Sequence, residues 1–87
     1  MTVYNVIISD RAAKEIEGLP SYIVKKTVLK LEELQEQSRP VGVKKLSGEL
    51  NKWRIRVGDY RIIYKIDDAK QIVTILFVRH RKDAYRF

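Results

Sequence analysis

Three arginines, Arg54, Arg56 and Arg61, flank the dipeptide Gly58-Asp59, and a second basic run, Arg79-His80-Arg81-Lys82, lies near the C-terminus with Tyr85 and Arg86 behind it. Arginine suits phosphate, because its rigid planar fork forms paired hydrogen bonds and it stays cationic at any physiological pH. Trp53, Tyr60, Tyr64, Tyr85 and Phe87 are interleaved with these cations. Rings of this kind can stack on unpaired bases, which is how single-stranded RNA is usually read. The chemistry on offer is recognition of a phosphate-bearing polymer.

Charge distribution points the same way. The chain has 87 residues and a formal net charge of +7. Residues 1–51 hold 8 basic and 7 acidic side chains, whereas residues 52–87 hold 10 basic and 4 acidic. Such asymmetry favours a polyanionic partner: nucleic acid first, an acidic protein second, an anionic membrane third. A solvated basic face that only aids solubility is the alternative.

Composition excludes other chemistries. The chain has no cysteine and a single histidine, His80. Disulfides, Cys-ligated zinc, iron–sulfur clusters and thiol nucleophiles are therefore absent, and a His-rich metal site is disfavoured. With 45% apolar and 33% charged residues the chain has the composition of a folded protein. A chain this short forms one domain, spanning residues 1–87, and buries only roughly 60–65% of its unfolded surface. Met1-Thr2-Val3-Tyr4-Asn5 lacks a basic stretch followed by a long apolar one, so a cytoplasmic protein with no membrane segment is expected.

The elements that must position the cations follow from hydrophobic period. Val3 to Ile8 reads as a strand, and Ser9-Asp10 can cap a helix carrying Ala12, Ala13, Ile16 and Leu19. Gly18 and Pro20 break that helix. A second helix runs from Pro20 to about Gln37, with Val24, Val28, Leu31 and Leu34 as its apolar stripe. Residues 38–50 are loosely defined. The period then changes from 3.6 to 2: Trp53 to Val57, a turn at Gly58-Asp59, Tyr60 to Ile66, a second turn over 67–70, and a third strand from Gln71 to Val78. The expected fold is α+β, in the order β-α-α-β-β-β, with a helical hairpin packed on an antiparallel-rich sheet.

Strand parity sorts the side chains. Trp53, Ile55 and Val57 share one face, and Arg54 and Arg56 the other. With Gly58-Asp59 as the loop, Val57 opposes Tyr60, Arg56 opposes Arg61 and Ile55 opposes Ile62. Trp53, Tyr60 and Tyr64 then belong to the apolar face and read as core. Directly opposed cations cost roughly 0.2–1 kcal/mol, a penalty that an anion bound between them reverses. The parity of Arg81 is not fixed, because it lies at or beyond the end of its strand.

The element order, the segment Lys45-Leu46-Ser47-Gly48 ahead of Trp53-Arg54-Ile55-Arg56-Val57-Gly58-Asp59-Tyr60-Arg61-Ile62-Ile63-Tyr64, and the ending Val78-Arg79-His80-Arg81-Lys82-Asp83-Ala84-Tyr85-Arg86 together resemble the RelE/ParE superfamily of bacterial toxins, the RelE branch most closely. The resemblance covers nearly the whole chain. It implies a toxin of a type II toxin–antitoxin pair, a ribosome-dependent endoribonuclease that cuts mRNA in the A site by attack of a ribose 2′-OH on the adjacent phosphorus. No metal or other cofactor is implied. The implied partners are a small RelB-like antitoxin, the ribosome and mRNA. A ParE-like inhibitor of DNA gyrase without nuclease activity is the rival that shares the fold, and a catalytically inert module acting with its antitoxin in repression is a third reading.

On this resemblance the family's essential hairpin arginine falls on Arg61, its C-terminal arginine on Arg81 and its C-terminal tyrosine on Tyr85. Two basic positions of the preceding strand fall on Arg54 and Arg56, where well-studied RelE toxins carry lysines. Arginine does not give up a proton in a protein, so these two positions are phosphate ligands and not proton carriers. The reaction needs a base for the 2′-OH, an acid or hydrogen-bond donor for the departing 5′-oxygen, and positive charge around phosphorus. Tyr85, with an ordinary pKa of about 10, is the expected base, since Arg81, Lys82 and Arg86 favour phenolate. Arg81 is the expected leaving-group stabiliser, and Arg54, Arg56 and Arg61 the phosphate clamp. His80 and Lys82 join as RNA-binding residues; His80 is also a candidate acid or base, or simply a polar residue at a strand end.

Overall fold

Val6 to Ile8 continue the β-branched run begun at Val3, and the strand they build, β1 (Asn5–Ile8), stops where Ser9 turns the chain into a helix, α1 (Asp10–Glu17). The computed structural model describes residues 3–48 and 51–83. Ser9 has two tasks. Its Oγ accepts the Ala12 N–H at 3.1 Å and donates to the Leu76 carbonyl at 2.9 Å, so one side chain caps α1 and ties the turn to a distant strand.

Helix α2 (Ser21–Glu36) follows Pro20, which occupies the capping position just before the first helical residue. Its buried face is Ile23, Thr27, Leu31 and Leu34. This corrects the expected stripe: Val28 is exposed and Val24 only half-buried, whereas Thr27 is fully enclosed. A buried threonine conceals a core position from a hydrophobicity pattern, and the phase of the stripe shifts by one residue at its N-terminal end.

Within residues 38–50 the chain forms a two-residue strand, β2 (Lys44–Lys45), followed by β3 (Lys52–Val57), β4 (Tyr60–Asp67), β5 (Ile72–His80) and a 3₁₀ turn over Arg81–Asp83. The sheet order is β1-β5-β4-β3-β2, with β1 parallel to β5 and the other neighbours antiparallel. The architecture is therefore α+β, two helices on a five-stranded mixed sheet. The hairpin register is as parity requires: Val57 opposes Tyr60, Arg56 opposes Arg61 and Ile55 opposes Ile62.

One sheet face forms the core. Ile55, Val57, Ile62, Tyr64, Ile66, Val73, Ile75 and Val78 cluster with Ala12, Ile23, Leu31 and Leu34 of the helices. Tyr64 is fully buried and its hydroxyl donates to the Ser38 carbonyl at 2.9 Å; burial pushes its pKa upward. The opposite face carries Lys52, Arg54 and Arg56 from β3, Arg61, Ile63 and Lys65 from β4, and Thr74, Phe77 and Arg79 from β5. Among the described residues no helix is long and apolar enough to cross a membrane.

A bulge in β5 decides which side chains reach that opposite face. Ile63 opposes Phe77 while Tyr64 opposes Ile75, so Leu76 is an extra residue. Beyond it the alternation is inverted: Val78 joins Val73 and Ile75 in the core, and Arg79 comes to lie beside Arg61.

Candidate phosphate-binding site

Arg56, Arg61 and Arg79 form one cross-strand row on β3, β4 and β5. Neighbouring strands are roughly 4.8 Å apart, so the stems of these side chains are packed side by side. They are not equivalent. Arg56 is exposed, and Arg61, only 5% exposed, is sunk into the sheet face. Arg79 is compensated: its Nη1 donates to Glu15 Oε2 at 2.6 Å, and the other oxygen of Glu15 accepts the Val78 N–H at 2.8 Å. Strand β1 is too short to reach that N–H, and a helix carboxylate takes the place of a sheet partner. The Arg79 and Arg11 guanidiniums also lie 4.7 and 4.8 Å from the centroid of the Phe77 ring.

The tight loop after β3 brings the second basic run to the first. Gly58 has φ +57, in the left-handed region, and a Cβ there would stand 3.0 Å from Ile23 Cδ1, so glycine is required both by the turn and by the approach of α2. Asp59 then anchors the C-terminal segment: its carbonyl accepts the Arg81 N–H at 2.7 Å, and its carboxylate lies 3.9 Å from Arg81 Nε. The result is a cleft of about 320 Å³ lined by Arg56, Gly58, Asp59, Arg61, Arg81 and Lys82. Among the described residues four cations and one carboxylate line it, and such an excess of positive charge attracts anions.

Of the residues singled out by sequence, Arg56, Arg61, Arg81 and Lys82 are brought together in this cleft. Arg54 is not among its lining residues. It faces an adjoining cleft, also of about 320 Å³, lined by Lys30, Val41, Gly42, Lys44, Arg54, Ile55 and Arg56. His80 opposes Tyr60 and stacks edge-on against its ring at 5.1 Å, on the core-side face, and its Nδ1 accepts the Lys82 N–H at 3.2 Å. When neutral, His80 thus carries its proton on Nε2. It orders the segment that bears Lys82 and does not line the cleft. Tyr85, Arg86 and Phe87 lie outside the described residues. Trp53, Tyr60 and Tyr64 pack in or against the core, as parity implies. Lys30 and Lys44 were missed by sequence reasoning: Lys30 sits on a helix of mixed charge, and Lys44 gains a position only through β2.

A basic cleft on the face of a mixed sheet, with two helices behind it, characterises this small α+β domain. The family model described as ParE toxin of type II toxin-antitoxin system, parDE, matches residues 6–85. Toxin RelE3 of Methanocaldococcus jannaschii is 33% identical over 88 residues, covering 94% of this chain and 96% of that protein. Toxin RelG of Mycobacterium tuberculosis is 36% identical over 85 residues, covering 95% and 97%. The archaeal RelE–RelB complex from Pyrococcus horikoshii OT3 contains a chain that superposes with a TM-score of 0.84 at 29% identity, over 97% of this chain and 100% of that one. The chain belongs to the RelE/ParE superfamily of type II toxin–antitoxin toxins, and its relatives place it with RelE.

Proposed function

We propose that this toxin is a ribosome-dependent endoribonuclease that cleaves mRNA in the A site, and that Arg61, Arg81 and Tyr85 carry the reaction. The observation that supports this most directly is the cleft of about 320 Å³ that Arg56, Arg61, Arg81 and Lys82 line together. In the reaction the ribose 2′-oxygen bonds to phosphorus, the bond from phosphorus to the 5′-oxygen breaks, and a 2′,3′-cyclic phosphate and a 5′-OH result. Tyr85 takes the 2′-OH proton. Arg56 and Arg61 hold the nonbridging oxygens, Arg54 adds positive charge from the neighbouring cleft without touching the reacting phosphate, and Arg81 donates a hydrogen bond to the departing 5′-oxygen, which acquires its proton from water. Lys82 adds positive charge beside the phosphate. His80 acts indirectly, through its acceptance of the Lys82 N–H.

A RelB-like antitoxin is the proposed protein partner, by analogy with the RelE–RelB complexes of the structural neighbours. Charge favours it, since an acidic segment is attracted to a +7 chain. The toxin is expected to act in the cytoplasm, where translating ribosomes are.

Primer extension on translating ribosomes after induction tests the reading. Wild type should leave A-site cuts, and Arg61→Ala, Arg81→Ala and Tyr85→Phe should weaken them strongly. Normal cutting by these variants would show that the assigned residues are wrong. The match to a ParE model keeps a second reading, gyrase inhibition. Loss of supercoiling activity of gyrase without RNA cleavage would establish that reading in place of the first.

A further inference from the structure

We propose that the adjoining cleft, bounded by Lys30, Lys44, Arg54 and Arg56, is a second phosphate subsite that holds the phosphate next along the RNA strand from the reacting one; this rests on the ribonuclease reading. The two clefts have equal volumes of about 320 Å³ and share Arg56 as a common wall. A single strand can therefore pass from one to the other without leaving cationic surface. Arg54 and Arg56 are two residues apart on one strand face, roughly 6.6 Å, comparable to the step between successive phosphates of an extended strand.

The charges of the second cleft call for an anion more plainly than those of the first. Among the described residues its lining holds four cations, Lys30, Lys44, Arg54 and Arg56, and no carboxylate. Lys44 and Arg54 are directly opposed across β2 and β3, a like-charge pair that costs stability unless an anion lies between them. Lys30 Nζ is 3.5 Å from Glu33 Oε2, an exposed helix pair too weak to hold the ammonium against a phosphate. Val41, 98% exposed, supplies apolar surface for a sugar or base edge. An acidic peptide would satisfy the same charges, but continuity with the reaction cleft through Arg56 favours the strand. The neighbouring groove of about 240 Å³, where Leu29, Val57 and Glu33 enter, lacks this unmixed charge.

The experiment uses ribosomes programmed with mRNA in which the phosphate on one or other side of the scissile bond is replaced by a neutral methylphosphonate. Lys44→Gln and Lys30→Gln should each reduce kcat/KM on unmodified mRNA by roughly threefold to tenfold, the effect of one exposed charge-to-phosphate contact. One of the two methylphosphonates should slow wild type by a similar factor. On that mRNA the lysine substitutions should add nothing further, and Lys44→Arg, which keeps the charge, should lose less than Lys44→Gln on unmodified mRNA. Losses that multiply, or lysine variants that cut every mRNA at the wild-type rate while Arg61→Ala fails to cut, would overturn the subsite and leave the ribonuclease reading standing. Lysine variants that cut normally but lose antitoxin binding would assign the cleft to the protein partner. If wild type does not cut, the ribonuclease reading falls and the subsite with it.

Discussion

Two corners of the sheet use arginine in opposite ways. At one, Arg39 forms a forked pair with Asp68, Nη1 to Oδ1 at 3.2 Å and Nη2 to Oδ2 at 2.9 Å; the Tyr4 hydroxyl donates to the same carboxylate at 2.6 Å. The Arg39 guanidinium lies 5.0 Å from the centroid of the Trp53 ring. Cation, anion and hydroxyl are matched, and the group clasps β1, the end of α2, β3 and the β4–β5 turn together. At the other corner, among the described residues, Arg56, Arg61, Arg81 and Lys82 share a cleft with a single carboxylate, Asp59. The same residue type thus closes a matched structural clasp at one corner and, at the other, lines the cleft proposed to bind a phosphate.

Exchanging the two corners by mutation should give opposite signatures. Arg61→Ala should reduce cleavage by about 10²–10³-fold, the usual loss when one donor to a developing anion is removed, with far-ultraviolet circular dichroism unchanged. Arg39→Ala should leave cleavage at the wild-type rate and lower Tm. Equal losses of activity from the two would erase the distinction.

Gly58→Ala tests whether the turn positions the cleft. It forces a left-handed φ on alanine at a cost of about 1–2 kcal/mol and presses Cβ against Ile23. Thermal denaturation should show a Tm lowered by roughly 4–8 °C per kcal/mol, and cleavage by the folded fraction should fall as Asp59 and Arg56 shift.

Asp59→Asn sharpens the charge argument. Removing the one carboxylate of the cleft should tighten binding of a 2′-deoxy RNA analogue by roughly twofold to fivefold at low salt, measured by fluorescence anisotropy. Weaker binding would mean that Asp59 is needed chiefly to hold Arg81.

The smallest effect is the pH dependence of the clasp. The Arg39 guanidinium, and then the Tyr4 hydroxyl, hold the Asp68 carboxyl below its ordinary value of 3.8, so the unfolded chain binds more protons there and stability falls as pH drops through that range. The hydrogen bond to Asp68 raises Tyr4 above its ordinary 10.0, so its contribution is lost as pH rises beyond that value. Asp68→Asn should flatten the acid limb of a Tm-against-pH curve. An unchanged acid limb would show that the clasp contributes nothing to stability.

Much of this was legible in the residues themselves. The element order apart from the two-residue β2, the Gly58-Asp59 turn, the facing of Arg56 and Arg61, and the assignment of Trp53, Tyr60 and Tyr64 to the core all follow from hydrophobic period and strand parity, which act over a few residues. Three things did not follow. Thr27 hid the phase of α2 because a polar letter occupied a buried site. The bulge at Leu76 reversed the parity of β5, so Arg79 and the segment after it could not be placed from alternation. Above all, the sequence by itself determined how many cations each half carries, but only tertiary structure decided which partners reach Arg79 and Arg39: Glu15 reaches Arg79 across 64 residues, and Asp68 reaches Arg39 across 29. Coulombic pairing depends on distance in space, and local pattern carries no record of it.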